Sequence, residues 1–269
     1  MQTLQLDAPE RFDDVIPERL NNRAFRSNVW RIFFDRYSAV FYGIESFGFA
    51  VRAPYPEEIP RLTLLAYGSS ITQGAGALAN YNCYVQQAAR RLEIDALNLG
   101  LSGSCYCEPE LADHLAGRND WDIAYLELGV NMRSVFTVEQ FQARSAYLLD
   151  RMIELQPEKP IFLTTMYPNR ASYFHANASI PKLQEDEKRF NEVLESYCAN
   201  KRHAQLHLLD GREIMSDFVS LTSDLIHPSD YGHMLMGEQV ARLLRPEVEK
   251  LRTAATAGTG SGETAKPEL

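Results

Sequence analysis

The sequence predicts an α/β protein, a three-layer α/β/α sandwich on a mostly parallel sheet, preceded by a small β-rich appendage. From residue 62 onward, short apolar or β-branched runs alternate with longer amphipathic ones, the pattern of strands joined by crossover helices. Upstream, the stretch Ala53-Pro54-Tyr55-Pro56-Glu57-Glu58-Ile59-Pro60 marks a boundary, because prolines so closely spaced continue neither a strand nor a helix. The length of 269 residues, 45% of them hydrophobic and 23% charged, is enough for one large domain with a core of its own.

In chain order, the expected strands are Thr63 to Tyr67, Ala96 to Leu99, Ile123 to Leu128, Ile161 to Thr165 and Leu206 to Leu209. The expected helices are Tyr84 to Leu92, Pro109 to Ala116, Val138 to Leu155, Leu183 to Ala199 and Gly232 to Leu251. The fourth helix illustrates the criterion, since Leu183, Phe190, Val193, Leu194 and Tyr197 recur at spacings near 3.6 with charges between them. Residues 1–60 read as the β-rich appendage, with Trp30, Ile32 and Phe34, then Ala39, Phe41 and Tyr42, flanking the turn signal Asp35-Arg36-Tyr37-Ser38. Its aromatics Trp30, Phe34 and Phe41 would cover a sheet or offer a platform for a sugar ring. Residues 61–252 form the main domain. Residues 253–269, rich in Gly, Thr, Ala and Ser without periodicity, are expected to be a disordered tail.

The charge balance narrows the partners. With 27 basic and 36 acidic side chains the net charge is −9, which argues against binding nucleic acid or an anionic membrane, since both need a positive surface. A small-molecule or oligosaccharide substrate fits better. The start Met1-Gln2-Thr3-Leu4-Gln5-Leu6-Asp7 has neither a basic nor an apolar leader region, and no stretch approaches about 18 apolar residues, so a cytoplasmic location is expected. Cys83, Cys105, Cys107 and Cys198 are too scattered for a disulfide framework, and Cys105-Tyr106-Cys107 lacks the spacing of a zinc knuckle. No metal or other cofactor is expected.

Four segments at or near strand ends carry the candidate chemistry. The first strand runs into Tyr67-Gly68-Ser69-Ser70-Ile71-Thr72-Gln73-Gly74, where an open parallel sheet presents its strand ends to ligand. A serine on such a turn can combine an exposed hydroxyl with a backbone N–H pointing the same way, although taken alone the segment also reads as a turn and helix N-cap. Asn98-Leu99-Gly100-Leu101-Ser102-Gly103 brings glycines that let backbone N–H groups approach a ligand. In Gly129-Val130-Asn131-Met132 the Asn amide can donate to an oxyanion. Finally, Asp224-Leu225-Ile226-His227-Pro228 places a carboxylate three residues before a histidine, a spacing that on a turn can fix the imidazole tautomer.

Each segment is weak alone, but together and in this order they resemble the SGNH (GDSL-type) hydrolases, over about residues 62 to 250. The resemblance implies the flavodoxin-like fold of that family and a serine esterase acting on short acyl groups, O-acetyl esters of carbohydrate first and lipid esters or thioesters second. It also implies that Ser70, rather than Ser69, is the nucleophile, with His227 as base and Asp224 as its orienting carboxylate. Ser70 and Gly103 N–H groups and the Asn131 amide would form the oxyanion hole, with Gly100 the less favoured glycine. Two positions depart from the family pattern: Ser69 and Met132 stand where an Asp is usual.

Other features compete with this reading. Gly74-Ala75-Gly76-Ala77-Leu78-Ala79 fits a dinucleotide fingerprint, with Glu93 and Asp95 as ribose acceptors, but the glycines lie too far past the strand end. They fit better as hinges of the Ser70 loop. A non-catalytic carbohydrate-binding module on the same fold is the alternative of another class. His203 and His207 do not share a helix face, His233 reads as structural or supporting, and His114 and His175 have no evident partner. Met234 and Met236 read as core. Glu108, Arg133, Tyr106 and Tyr167 follow strand ends and could line a pocket, but solvated loop positions are preferred for them.

Overall fold

The computed structural model describes residues 3–21, 24–33, 40–175 and 181–259. The chain divides into two compact units, Met1–Arg61 and Leu62–Leu269.

Among the described residues of the first unit there is no strand, only a 3-10 turn at Glu10–Phe12, a short helix α1 (Pro17–Asn21) and a second 3-10 turn at Pro56–Glu58. This corrects the β-rich expectation for that part. The expected turn at Asp35 to Ser38 lies outside the described residues. Phe41, Tyr42, Ile44, Phe47 and Phe49, of both sequence parities, are all exposed, so the apolar residues form no buried face for a ladder to serve. A polar clasp organises the unit instead. The nearly buried Glu58 carboxylate accepts from Asn28 Nδ2 (2.9 Å), Arg52 Nη1 and Nη2 (2.7 and 2.9 Å) and the Tyr55 N–H (2.7 Å).

The second unit is the expected sandwich. Five parallel strands, β1 (Thr63–Gly68), β2 (Asp95–Gly100), β3 (Ile123–Glu127), β4 (Ile161–Thr164) and β5 (Leu206–Leu209), lie in the order β2-β1-β3-β4-β5. The helices are α2 (Ser70–Gln73), α3 (Tyr84–Leu92), α4 (Pro109–Gly117), α5 (Val138–Leu155), α6 (Pro181–Lys201), α7 (Gly211–Ile214) and α8 (Asp230–Thr259). Successive side chains of a strand point to opposite faces, and β1 divides accordingly. Leu64 and Ala66 pack with Tyr84, Ala88 and Leu92 of α3 and with Met236, Val240 and Leu244 of α8. Leu65 and Tyr67 face Leu115 of α4, Leu148 and Met152 of α5 and Phe190 of α6. Of the two methionines read as core, Met236 is buried and Met234 is exposed.

Local sequence explains the helix ends. Thr137 caps α5 by accepting the Gln140 N–H (3.3 Å) while Gln140 Oε1 accepts the Thr137 N–H (2.9 Å), a reciprocal capping box. Phe141 then stacks on Phe190 with ring centroids 4.1 Å apart, locking α5 to α6. The last helix runs to Thr259, eight residues past its expected end, because Ala254, Ala255 and Ala257 are strong helix formers that extend an already nucleated helix. Residues 253–259 of the expected tail are therefore helical, and 260–269 lie outside the described residues. Among the described residues no helix is long and apolar enough to cross a membrane.

The order of neighbouring strands decides which loops meet. The first strand lies between β2 and β3, so the loop after it is flanked by the loops after both, at the point where a doubly wound sheet binds ligand. The contact is close: a Cβ added at Gly100, the end of β2, would lie 2.1 Å from the Gln73 backbone nitrogen. Because backbone cannot swing away, Gly100→Ala is expected to lower stability by about 2 kcal/mol or more in urea unfolding. The control is Gly117→Ala, at the end of α4 where an added Cβ meets nothing within 4 Å; it should leave the midpoint nearly unchanged.

Candidate active site

The Ser69–Ser70 loop forms where β1 meets α2. Ser69 is the N-cap, its Oγ accepting the Ile71 N–H (3.1 Å), and Ser70 is the first helical residue. The first N–H groups of a helix have no intrahelical acceptor, so the Ser70 amide stands at a positive helix end. Ser70 Oγ lies 2.7 Å from His227 Nε2, and His227 Nδ1 lies 2.6 Å from Asp224 Oδ2. The carboxylate fixes the proton on Nδ1, which leaves Nε2 free to accept from the serine hydroxyl.

Short-range bonds shape the loop holding this pair. The other oxygen of Asp224 accepts the N–H groups of Ile226 (2.8 Å) and His227 (2.9 Å) and the Thr222 hydroxyl (2.8 Å). Partial burial would raise the Asp224 carboxyl, but these bonds and that from the His227 ring outweigh it and hold Asp224 well below the usual carboxylate range. The Thr222 N–H donates to the His227 carbonyl (2.8 Å), closing the turn. The side chains remain accessible, 26% for His227 and 48% for Asp224.

The other two expected residues sit on the flanking loops. Asn131 follows β3, and its Oδ1 accepts the Cys105 N–H (3.1 Å), an arrangement that reserves Nδ2 for donation elsewhere. Gly103 follows β2 in an exposed loop with φ +70°, and nothing lies within 4 Å of where a Cβ would be. That loop is tied to the Ser70 loop by Leu101 N–H to Gly68 O (2.7 Å) and by Asn98 Nδ2 to Thr72 O (2.8 Å). Gly100 serves close backbone packing instead.

A residue not singled out from sequence organises the loop from below. Glu127, at the end of β3 and 1% exposed, accepts the Ser69 N–H (2.8 Å), the Ser69 hydroxyl (2.7 Å) and the Thr72 hydroxyl (3.1 Å) through Oε2. Burial raises its carboxyl, opposed by these bonds and by the Arg133 charge. Ser69, where the family usually has Asp, is thus the hydrogen-bonding partner of a carboxylate on the neighbouring strand. Met132, at the second departure, is simply buried in the core. A sequence signal for Glu127 exists, a single acid closing the otherwise uncharged run Ile123 to Leu126, but its partner is visible only from the strand order.

His233 supports the same loop. Its Nδ1 accepts the Tyr84 N–H (3.2 Å), its Nε2 donates to Ala75 O (3.1 Å), and the ring stacks on Tyr84. Gly76 lets the loop close on the histidine segment, since a Cβ there would lie 2.0 Å from Pro228 O and φ is +93°. Among the positions expected to be solvated loop, Tyr167 and Arg133 are buried, a correction with a clear cause. Tyr167 joins the hydroxyls of Tyr125 and Tyr84, and Arg133 binds Asn169 Oδ1 (2.9 Å) and Glu187. Tyr106 packs its ring on Phe136, and Glu108 is half-buried. His207 stacks on Phe162, away from the site. A cavity of about 1100 Å³ opens past β4 and β5, lined by residues such as Met166, Asn191, Asp210 and Arg212, and none of Ser70, Asn131, Asp224 or His227 lines it.

The profile of the GDSL-like Lipase/Acylhydrolase family matches residues 62–245. The chain belongs to that family. Among curated proteins none matches it significantly in sequence. Solved structures share the fold: a Bacteroides ovatus protein classed as a GDSL-like lipase is 24% identical with a TM-score of 0.59, covering 70% of this chain and 54% of its own. The salicylyl-acyltransferase SsfX3 of a tetracycline biosynthetic pathway is 19% identical with a TM-score of 0.54, covering 69% and 55%. A family two carbohydrate esterase from Clostridium thermocellum, solved with cellohexaose, is 17% identical with a TM-score of 0.54, covering 74% and 67%. The chain spans about half the length of the first two. In this GDSL-like chain the serine, glycine, asparagine and histidine blocks occupy the loops after β1, β2 and β3 and the loop before α8.

Two outcomes are expected for the supporting residues. Glu127→Ala leaves three donors without their acceptor and is expected to cost about 3 kcal/mol in urea unfolding, whereas Glu127→Gln, which keeps an acceptor oxygen, should cost less. Burial lowers the pKa of His233 below 6.5, and His207 is pushed the same way. At these two positions the unfolded chain then binds more protons than the folded one below about pH 6.5, so their contribution to stability is fully present above that pH and falls as the solution is acidified. The urea midpoint should drop between pH 7 and pH 5, with a shallower slope in His233→Asn.

Proposed function

We propose that the chain is a cofactor-independent serine esterase that removes short acyl groups, O-acetyl esters of carbohydrate foremost. The observation that carries this reading is the unbroken line from Ser70 Oγ through His227 to Asp224, with both contacts within hydrogen-bonding distance. In the first half-reaction Ser70 Oγ forms a bond to the ester carbonyl carbon while its proton passes to His227 Nε2. The imidazolium so formed is paired with Asp224. The carbonyl oxygen, now an oxyanion, is received by the N–H groups of Ser70 and Gly103 and by Asn131 Nδ2.

Collapse breaks the bond to the alcohol oxygen, which leaves with the proton from Nε2. A water then attacks the acyl-serine, giving its proton to Nε2 and later regenerating the Ser70 hydroxyl. The preference for a small acyl group on a bulky polar alcohol is supported by the accessibility of the site. Asp224 is half-exposed, and Gly103 faces open space, surroundings suited to a group presented from solvent. The cellohexaose complex of the carbohydrate esterase shares the fold and agrees with this choice.

The test compares an acetyl with an octanoyl ester on wild type, Ser70→Ala and Asn131→Ala, with circular dichroism establishing that each is folded. Wild type should favour acetyl, Ser70→Ala should be inactive, and Asn131→Ala should lose roughly 100-fold in kcat. Turnover by Ser70→Ala equal to wild type would remove the nucleophile assignment. A preference for octanoyl would shift the substrate to lipid, since each buried methylene contributes about 0.8 kcal/mol in a pocket built for it.

A further inference from the structure

The segment after β4 joins both halves of the site. On one side Arg133, two residues past Asn131, donates from Nη1 to Asn169 Oδ1 (2.9 Å). On the other, the Arg170 N–H donates to Leu225 O (2.7 Å), in the loop between Asp224 and His227. Arg170 therefore stands at the seam between the turn that carries the oxyanion amide and the loop that carries the base.

Arg170, whose backbone stands at this seam, carries its charge without a carboxylate partner. Arg170 is half-buried, and its Nε is shielded from water with no hydrogen-bond acceptor. Among the described residues no carboxylate pairs with it. The nearest acid by connectivity, Glu187, is already committed to Arg133, to Asn169 Nδ2 (2.6 Å) and to the Ser172 hydroxyl (3.0 Å). Arg133 in turn is close enough to repel Arg170. A partly desolvated cation with a buried orphan donor is costly to the fold, and such a group in a site asks for the ligand that satisfies it.

We propose that Arg170 anchors an anionic group of the substrate, a carboxylate or a phosphate, so that the preferred ester is that of an acidic sugar. This rests on the esterase reading. The anion belongs to the alcohol portion, because an acetyl group has no place to carry one. The planar fork of a guanidinium meets either anion through two parallel N–H donors, and a charged hydrogen bond formed out of water contributes more than one at the surface.

The experiment measures kcat/KM on O-acetylated methyl glucoside, methyl glucuronide and methyl glucoside 6-phosphate. Wild type should prefer at least one acidic ester over the neutral one by about tenfold, carried by KM, and added salt should reduce the preference. Arg170→Gln should bring the ratio near one, with Arg170→Lys in between. The two acidic esters separate carboxylate from phosphate. In parallel, the deacetylated sugars are titrated calorimetrically into folded Ser70→Ala and Ser70→Ala/Arg170→Gln protein, which reads binding without turnover. An equal ratio in wild type and Arg170→Gln, or acid binding that ignores Arg170, overturns the proposal even if neutral esters are hydrolysed. Acid binding that depends on Arg170 in a protein that hydrolyses no ester would uphold the anion site while removing the esterase reading and, with it, the acidic ester.

Discussion

A carboxyl group sealed from water must find its hydrogen bonds inside the protein, and at Glu127 that demand fixes the loop that carries Ser70. One oxygen gathers the amide and hydroxyl of Ser69 and the hydroxyl of Thr72, three donors from two residues on either side of Ser70. A loop so held cannot turn its serine away without stranding a buried carboxyl group. The strand order makes this possible: β3 neighbours β1, so an acid at the end of one reaches the turn at the end of the other. Thr72 extends the constraint to the Tyr84 hydroxyl (2.8 Å), and through Tyr84 to α3.

From that fixed loop the geometry propagates across long stretches of chain. Ser70 and His227 are 157 residues apart in sequence, and the contact between them needs the loop after α2 to meet the loop before α8. Gly76 against Pro228 and His233 beneath Ala75 provide the meeting. Each uses backbone or a neutral ring, so the approach introduces no charge that would compete with Asp224 for the imidazole. The histidine loop itself is the more exposed partner. Its shape comes from short-range bonds, three of them to one oxygen of Asp224, and so survives without deep burial.

This contrast explains what was legible in the sequence. The strands and most helices of the second unit were readable because their apolar periodicities answer to two well-packed faces of one sheet. The Asp224 to His227 pair was readable because its contact is local, and Ser70, Gly103 and Asn131 were placed by family resemblance rather than by any period. Glu127 and the bond between Arg133 and Glu187 were not readable, since each depends on residues 54 or more positions away. The first unit misled for another reason. Aromatic and β-branched residues predict a strand only when one face is buried, and Phe41, Ile44 and Phe49 have no buried face. The end of α8 misled because composition without apolar periodicity hid the helix propensity of its alanines.

Buried polar groups tie the scaffold of the site together. Glu127 is satisfied by donors of the Ser69–Thr72 loop, and Arg133 is paired with Glu187, so both buried groups are spent on holding structure. Arg170 lies on the same segment as Asn169, which binds both Arg133 and Glu187, yet takes no share of that acid. In a chain with net charge −9, carboxylates are abundant, and one more could have been placed beside it. On the proposed assignment, the cost of leaving a half-buried guanidinium unpaired is offset when the substrate's anion arrives.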